Sequence, residues 1–132
     1  GIHRSNYVTI ENNVIYDIAG HGIHLNDGRE IGNVFRGNLL VWVRARSGLT
    51  TADLAPAAFW LINPNNTLEH NAVVGCTHYG YWYQLLLITY ELSNNTTEEY
   101  YSYKQPFGGF YNNSVHSTGL HGVRIYPQYA PT

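Results

Sequence analysis

At 132 residues, with 12% charged side chains and a formal net charge of −2, the chain is long enough for one core and has no basic stripe of the kind that nucleic-acid binding needs. Its aliphatic run Leu85-Leu86-Leu87-Ile88 falls far short of the roughly 18 apolar residues of a membrane-spanning helix, so no direct membrane insertion by this segment is expected.

Taken in chain order, the first unit runs from Ile10 through Asn13-Val14-Ile15 to Gly22 and ends in the alternation Ile23, His24, Leu25. The second has Phe35 and Asn38-Leu39-Leu40, an insertion from Arg44 to Ala55, then Ala58 in the glycine position followed by Phe59, Trp60 and Leu61. In the third, Leu68 and Asn71-Ala72-Val73 lead to Gly80, Tyr81, Trp82 and Tyr83, and a second insertion occupies Gln84 to Gln105. The fourth repeats the pattern as Phe110, Asn113-Ser114-Val115, Gly122, Val123, Arg124 and Ile125. A period near 25 residues with alternating β-branched and aromatic positions, and no long helical stripe, predicts an all-β fold. Specifically, it predicts a parallel β-helix of about four coils with PbH1-type repeats and two insertion loops, spanning 1–132 as a single segment.

Each repeated residue then has a physical task. Asn13, Asn38, Asn71 and Asn113 are expected to form an amide ladder at one corner, each donating to one neighbour and accepting from the other. The glycines suit a corner with positive φ or close backbone approach. Cys76 falls where the other coils have Ile18, Val43 and Thr118, a small buried position. Glu11, Arg36 and Glu69 share a register position and read as a surface ion-pair ladder.

The candidates for function are few. Alternation places His24, Trp60, Trp82 and Arg124 in one outward column, a flat aromatic platform on which a glycan could stack or which another segment, such as the insertion from Gln84, could cover. Asp27, with His24 nearby, is the candidate for acid–base chemistry, although Asn26-Asp27-Gly28 is first a turn signal. Asn65, Asn94, Asn95 and Asn112 begin glycosylation sequons. Neither CxxC nor HxxxH spacing supports a metal site, and no cofactor is expected.

The strings Gly20 to Gly28, Ala58-Phe59-Trp60-Leu61-Ile62-Asn63-Pro64-Asn65-Asn66, His78 to Tyr83, and Gly109 to Asn113 with Val115-His116-Ser117 resemble the β-helix region of fibrocystin, fibrocystin-like proteins and the cell-migration-inducing and transmembrane hyaluronidases. The resemblance covers nearly the whole chain, and around His78 to Tyr83 it is nearer the fibrocystin-like branch. It implies a right-handed helix in a large glycosylated protein, extracellular or at the cell surface. It also implies two functions: a non-catalytic structural or recognition module able to form part of a polymeric assembly, or an enzyme that binds or degrades hyaluronan or another glycan. Four coils leave open ends, for which flanking coils or domains of the same protein, or other copies, are the expected partners. The nine acids do not register on adjacent coils, which favours the non-catalytic reading.

Overall fold

The computed structural model describes residues 1–46, 54–85, 89–93 and 96–132, of which 89–93 and 96–98 are described by their backbone. Each coil contributes three short strands. The first has β1 (Thr9–Glu11), β2 (Val14–Ala19) and β3 (Ile23–His24); the second has β4 (Val34–Arg36), β5 (Leu39–Arg44) and β6 (Ala57–Leu61). The third has β7 (Thr67–Glu69), β8 (Ala72–Cys76) and β9 (Tyr79–Tyr83). The second insertion holds an antiparallel pair, β10 (Thr89–Ser93) with β11 (Thr96–Tyr100), and the last coil has β12 (Gly109–Tyr111), β13 (Ser114–Thr118) and β14 (His121–Ile125). Strands stack coil on coil into three parallel sheets, β1-β4-β7-β12, β2-β5-β8-β13 and β3-β6-β9-β14, which make the chain a parallel β-helix. Ile2 adds a parallel bridge to Leu25 beside β3. Among the described residues no helix is long and apolar enough to cross a membrane.

The repeat positions fall in register as the spacing requires. Ile10 pairs with Phe35, Phe35 with Leu68, and Leu68 with Phe110. Ile15, Leu40, Val73 and Val115 form the next column. Phe35, Leu40, Phe59, Leu61, Leu68, Val73, Tyr81 and Tyr83 are each no more than 1% exposed, and burying such a side chain contributes about 1.5–3 kcal/mol before entropy is counted. Phe59 stacks on Tyr81 at 5.0 Å, so the aromatic column continues through the core.

The asparagine ladder forms as expected. Asn13 Nδ2 donates to Asn38 Oδ1, Asn38 Nδ2 to Asn71 Oδ1, and Asn71 Nδ2 to Asn113 Oδ1, each at 3.0 Å. Each Oδ1 also accepts the backbone N–H of the preceding ladder residue, at 3.0–3.1 Å. The second amide proton of Asn38, Asn71 and Asn113 goes to the carbonyl of Ile10, Phe35 and Leu68, closing the corner around each aliphatic column. Positive φ falls one residue before each ladder asparagine, at Asn12, Gly37, His70 and Asn112. The glycine column answers instead to close approach: a Cβ on Gly80 would lie 2.5 Å from Val115 Cγ2 and 2.6 Å from the Gly122 carbonyl oxygen.

A second column of positive φ, at Asp17, Trp42, Gly75 and Ser117, has no counterpart in the sequence pattern. These residues step out of the strand pairing, which passes from Tyr16↔Val41 directly to Ile18↔Val43. The kink changes the side-chain period locally from two to three, which is how Ile15 and Ile18, and likewise Val73 and Cys76, all face the core.

Cys76 is 3% exposed and unpaired by any disulfide. Burial pushes its thiol up to about 11 and also raises the Tyr81 and Tyr83 hydroxyls. All three hold their protons more tightly folded than unfolded. Their contribution to stability is therefore fully present below about pH 9 and is lost as pH rises through the unfolded values of 9.0 and 10.0 toward the folded ones. Urea denaturation at pH 8, 9.5 and 11 should give a falling midpoint, with the native thiol inert to disulfide reagents at neutral pH and reactive once unfolded. A midpoint that rises with pH would contradict the burial of these groups.

Candidate functional site

The outer face of the third sheet is built by simple alternation. Ile23, Phe59 and Tyr81 point into the core, so the next residue of each strand points out, and strand pairing aligns His24 with Trp60, Trp60 with Trp82, and Trp82 with Arg124. A second outward column holds His21, Ala57, Tyr79 and His121, joined in register where Tyr79 pairs with Ala57 and His121. The face is partly covered by its own side chains. His21 stacks on Trp60 at 4.5 Å with its Nδ1 accepting the Ala57 N–H at 3.0 Å, and Trp60 Nε1 donates to Gln84 Oε1 at 2.8 Å. The first residue of the second insertion therefore braces Trp60, and both tryptophans remain half-buried. Leu86, Leu87 and Ile88 lie outside the described residues.

At the other end Arg124 is caged by aromatic rings. Its guanidinium carbon lies 4.9 Å from the Tyr79 ring, 5.1 Å from Trp82 and 4.6 Å from Tyr126, and it donates a hydrogen bond to the Tyr79 hydroxyl. Tyr79 also packs on Trp82 at 4.8 Å and on His121 at 5.9 Å. The result is a rigid cationic and aromatic surface, with no carboxylate in the His21 and His24 columns. In chain order the first insertion separates the second sheet from the third, and the second insertion separates the third from the first. Both thus border this face, while the corner before each ladder asparagine has none.

The carboxylates with described side chains lie elsewhere and are engaged. Arg36 bridges Glu11 at 3.4 Å and Glu69 at 2.5 Å, and these two partners raise its pKa, the Glu69 hydrogen bond most. Arg44 binds Asp17 at 2.7 Å. Asp27 finds its partners in His3, at 2.9 Å, and the Arg4 backbone N–H, at 3.1 Å, rather than in His24, which sits on the sheet face. Glu30 is 1% exposed and receives the backbone N–H groups of Asp27 at 2.9 Å and Gly28 at 2.8 Å. His3, Asp27 and Glu30 bring their donor atoms within 4.8 Å of one another. Both Glu30 oxygens already face N–H groups, whose positive ends oppose a cation, so the cluster reads as a braced turn. Glu99 accepts from the Tyr101 hydroxyl at 2.5 Å. Asp53 lies outside the described residues, as do the side chains of Glu91 and Glu98.

Two features escaped the sequence reading. A second amide ladder runs from the Val8 N–H to Asn33 Oδ1 and from Asn33 Nδ2 to Asn66 Oδ1, both at 2.9 Å. Its signal was an asparagine five residues before Asn38 and Asn71, obscured because Val8 and Gly108 hold that place in the outer coils. The other is the docking of the second insertion on this corner, where Asn63 Nδ2 donates to the Tyr100 hydroxyl at 2.9 Å and Arg29 lies 5.1 Å from the Tyr100 ring. Of the sequon asparagines, Asn65 is half-buried and Asn112 is exposed, while Asn94 and Asn95 lie outside the described residues.

The family profile described as CEMIP beta-helix matches residues 1–123. Fibrocystin-L of Homo sapiens is 41% identical over 98% of this chain, which spans 3% of that relative's length. Fibrocystin of Mus musculus is 29% identical over 98% of the chain, again 3% of the relative. Cell surface hyaluronidase of Danio rerio is 28% identical over 94% of the chain and 11% of the relative. No solved structure matches the chain.

Proposed function

Because the chain belongs to the CEMIP beta-helix family, whose profile covers 1–123, we propose that it is a non-catalytic structural and recognition module of a secreted or cell-surface protein, with the outer face of its third sheet as the recognition surface. The observation that carries this reading is the separation of the aromatic face from the acids whose side chains are described. Trp60, Trp82, His24 and Arg124 stand in one column, whereas all six carboxylates with described side chains are tied to cations, N–H groups or a hydroxyl. Glycoside hydrolysis needs two carboxyl groups about 5–10 Å apart across an open groove, and the described acids offer no such pair on this face. Further coils of the same protein are the partners that fit the open ends, since inward-facing Val123 and Ile125 of the last coil are 49% and 48% exposed while their counterparts in β6 and β9 are buried.

The name of one relative, cell surface hyaluronidase, supplies a first ligand to test. Tryptophan fluorescence titrated with hyaluronan oligosaccharides and with neutral oligosaccharides should show saturable binding. Trp60→Ala and Trp82→Ala should each weaken it by up to about tenfold, the scale of one lost aromatic contact. Binding that neither substitution weakens would place recognition on another surface.

A further inference from the structure

The corner between the first and second sheets carries an exposed asparagine that the ladder does not use. Asn112 has φ +49 and is exposed, and its side chain makes no hydrogen bond among the described residues. Asn113 fills the middle place of the sequon and is held by the ladder, so the tripeptide is fixed in a turn. Ser114 opens β13, and the corner position that Asn112 holds is exposed in an inner coil too, at His70. Asn12 occupies the same corner of the first coil with φ +56, but Val14 stands where the hydroxyl would be. Asn65 differs: it is half-buried, its N–H is held by Asn63 Oδ1 at 2.9 Å, and its carbonyl accepts from the Gly32 N–H at 2.7 Å.

We infer that Asn112 is an N-glycan attachment site, a modification that rests on the secreted or cell-surface setting proposed above. The Asn112 Nδ2 forms a C–N bond to the anomeric carbon of a polyprenyl-pyrophosphate-linked oligosaccharide. The anomeric C–O bond breaks, the polyprenyl pyrophosphate leaves with the electron pair, and the amide gives up one proton. A glycan at this corner points away from the third sheet, which lies opposite, and leaves the Trp60 and Trp82 face open.

The full chain, secreted from eukaryotic cells behind an added leader, tests the site whatever route the natural protein takes. Endoglycosidase treatment should lower the intact mass, and both Asn112→Gly and Ser114→Ala should remove one glycan's mass from the untreated chain, whereas Asn65→Gln should not. Glycine is the natural residue at this corner in the second coil, as Gly37 with φ +62, so Asn112→Gly keeps the fold. Val14→Thr should add a second glycan by completing a sequon at Asn12, where Val14 is 74% exposed. A secreted chain whose glycan mass is unchanged by Asn112→Gly would overturn the assignment.

Discussion

Replacing Asn71 with alanine should cost about 3 kcal/mol or more, a large part of the 5–15 kcal/mol that holds a typical domain together. Asn71 is 1% exposed, and its side chain is the acceptor for the Asn38 N–H and Nδ2 and the donor to the Phe35 carbonyl and Asn113 Oδ1, all at 2.9–3.0 Å. Its loss orphans at least three buried polar groups, each worth about 1–3 kcal/mol. Asn71→Asp keeps an acceptor but turns oxygen toward two oxygens, so it should rescue little near neutral pH. Asn13→Ala should cost under about 1 kcal/mol, because Asn13 is exposed and donates only to Glu11 O and Asn38 Oδ1. Urea midpoints for the three variants decide the matter. Equal losses at Asn13 and Asn71 would mean that the ladder contributes nothing beyond its individual amides.

Gly108→Ala should be nearly as damaging, at about 3 kcal/mol, for a steric reason. A Cβ there would lie 2.5 Å from the Asn66 carbonyl oxygen and 2.7 Å from the Asn66 C and N atoms, all backbone. Asn66 has little room to move, since its amide donates to the carbonyls of Glu30 at 2.8 Å and Asn63 at 3.0 Å and accepts from Asn33. Gly75→Asn is the contrasting case. Its φ of +78 is matched in the same column by Asp17 and Ser117, and the nearest atom to its new Cβ would be the Trp42 ring edge at 3.2 Å, with the Trp42 backbone N at an ordinary 3.9 Å. Asparagine tolerates that backbone, so the thermal midpoint should barely change. A large loss at Gly75 with none at Gly108 would reverse the account of which glycines the coil needs.

The sequence made the inward columns legible because a parallel β-helix repeats its environment every coil, so Ile10, Phe35, Leu68 and Phe110 had to match in kind as well as spacing. The same logic exposed the ladder at Asn13 and the outward column at Trp60. The kink at Asp17, Trp42, Gly75 and Ser117 stayed hidden because stacking imposes it on four unlike residues, none of which announces positive φ as a set. The partner of Asp27 was hidden for another reason: His3 lies 24 positions earlier and outside every repeat, and only the turn of the chain past Ile2 brings it close. The candidate face was read in outline, as a register, while its rigidity came from His21, Gln84 and Tyr79, whose contacts cross coils or corners.

The claim that this module recognises without cleaving is tested most directly by incubating the purified chain in excess with hyaluronan of defined length and following polymer size alongside binding. The proposal predicts bound polymer of unchanged length, released intact, with binding weakened by up to about tenfold on Trp82→Ala. Progressive shortening that persists in the Trp82→Ala variant and disappears when a carboxylate is removed would show that a catalytic pair exists and would contradict the account.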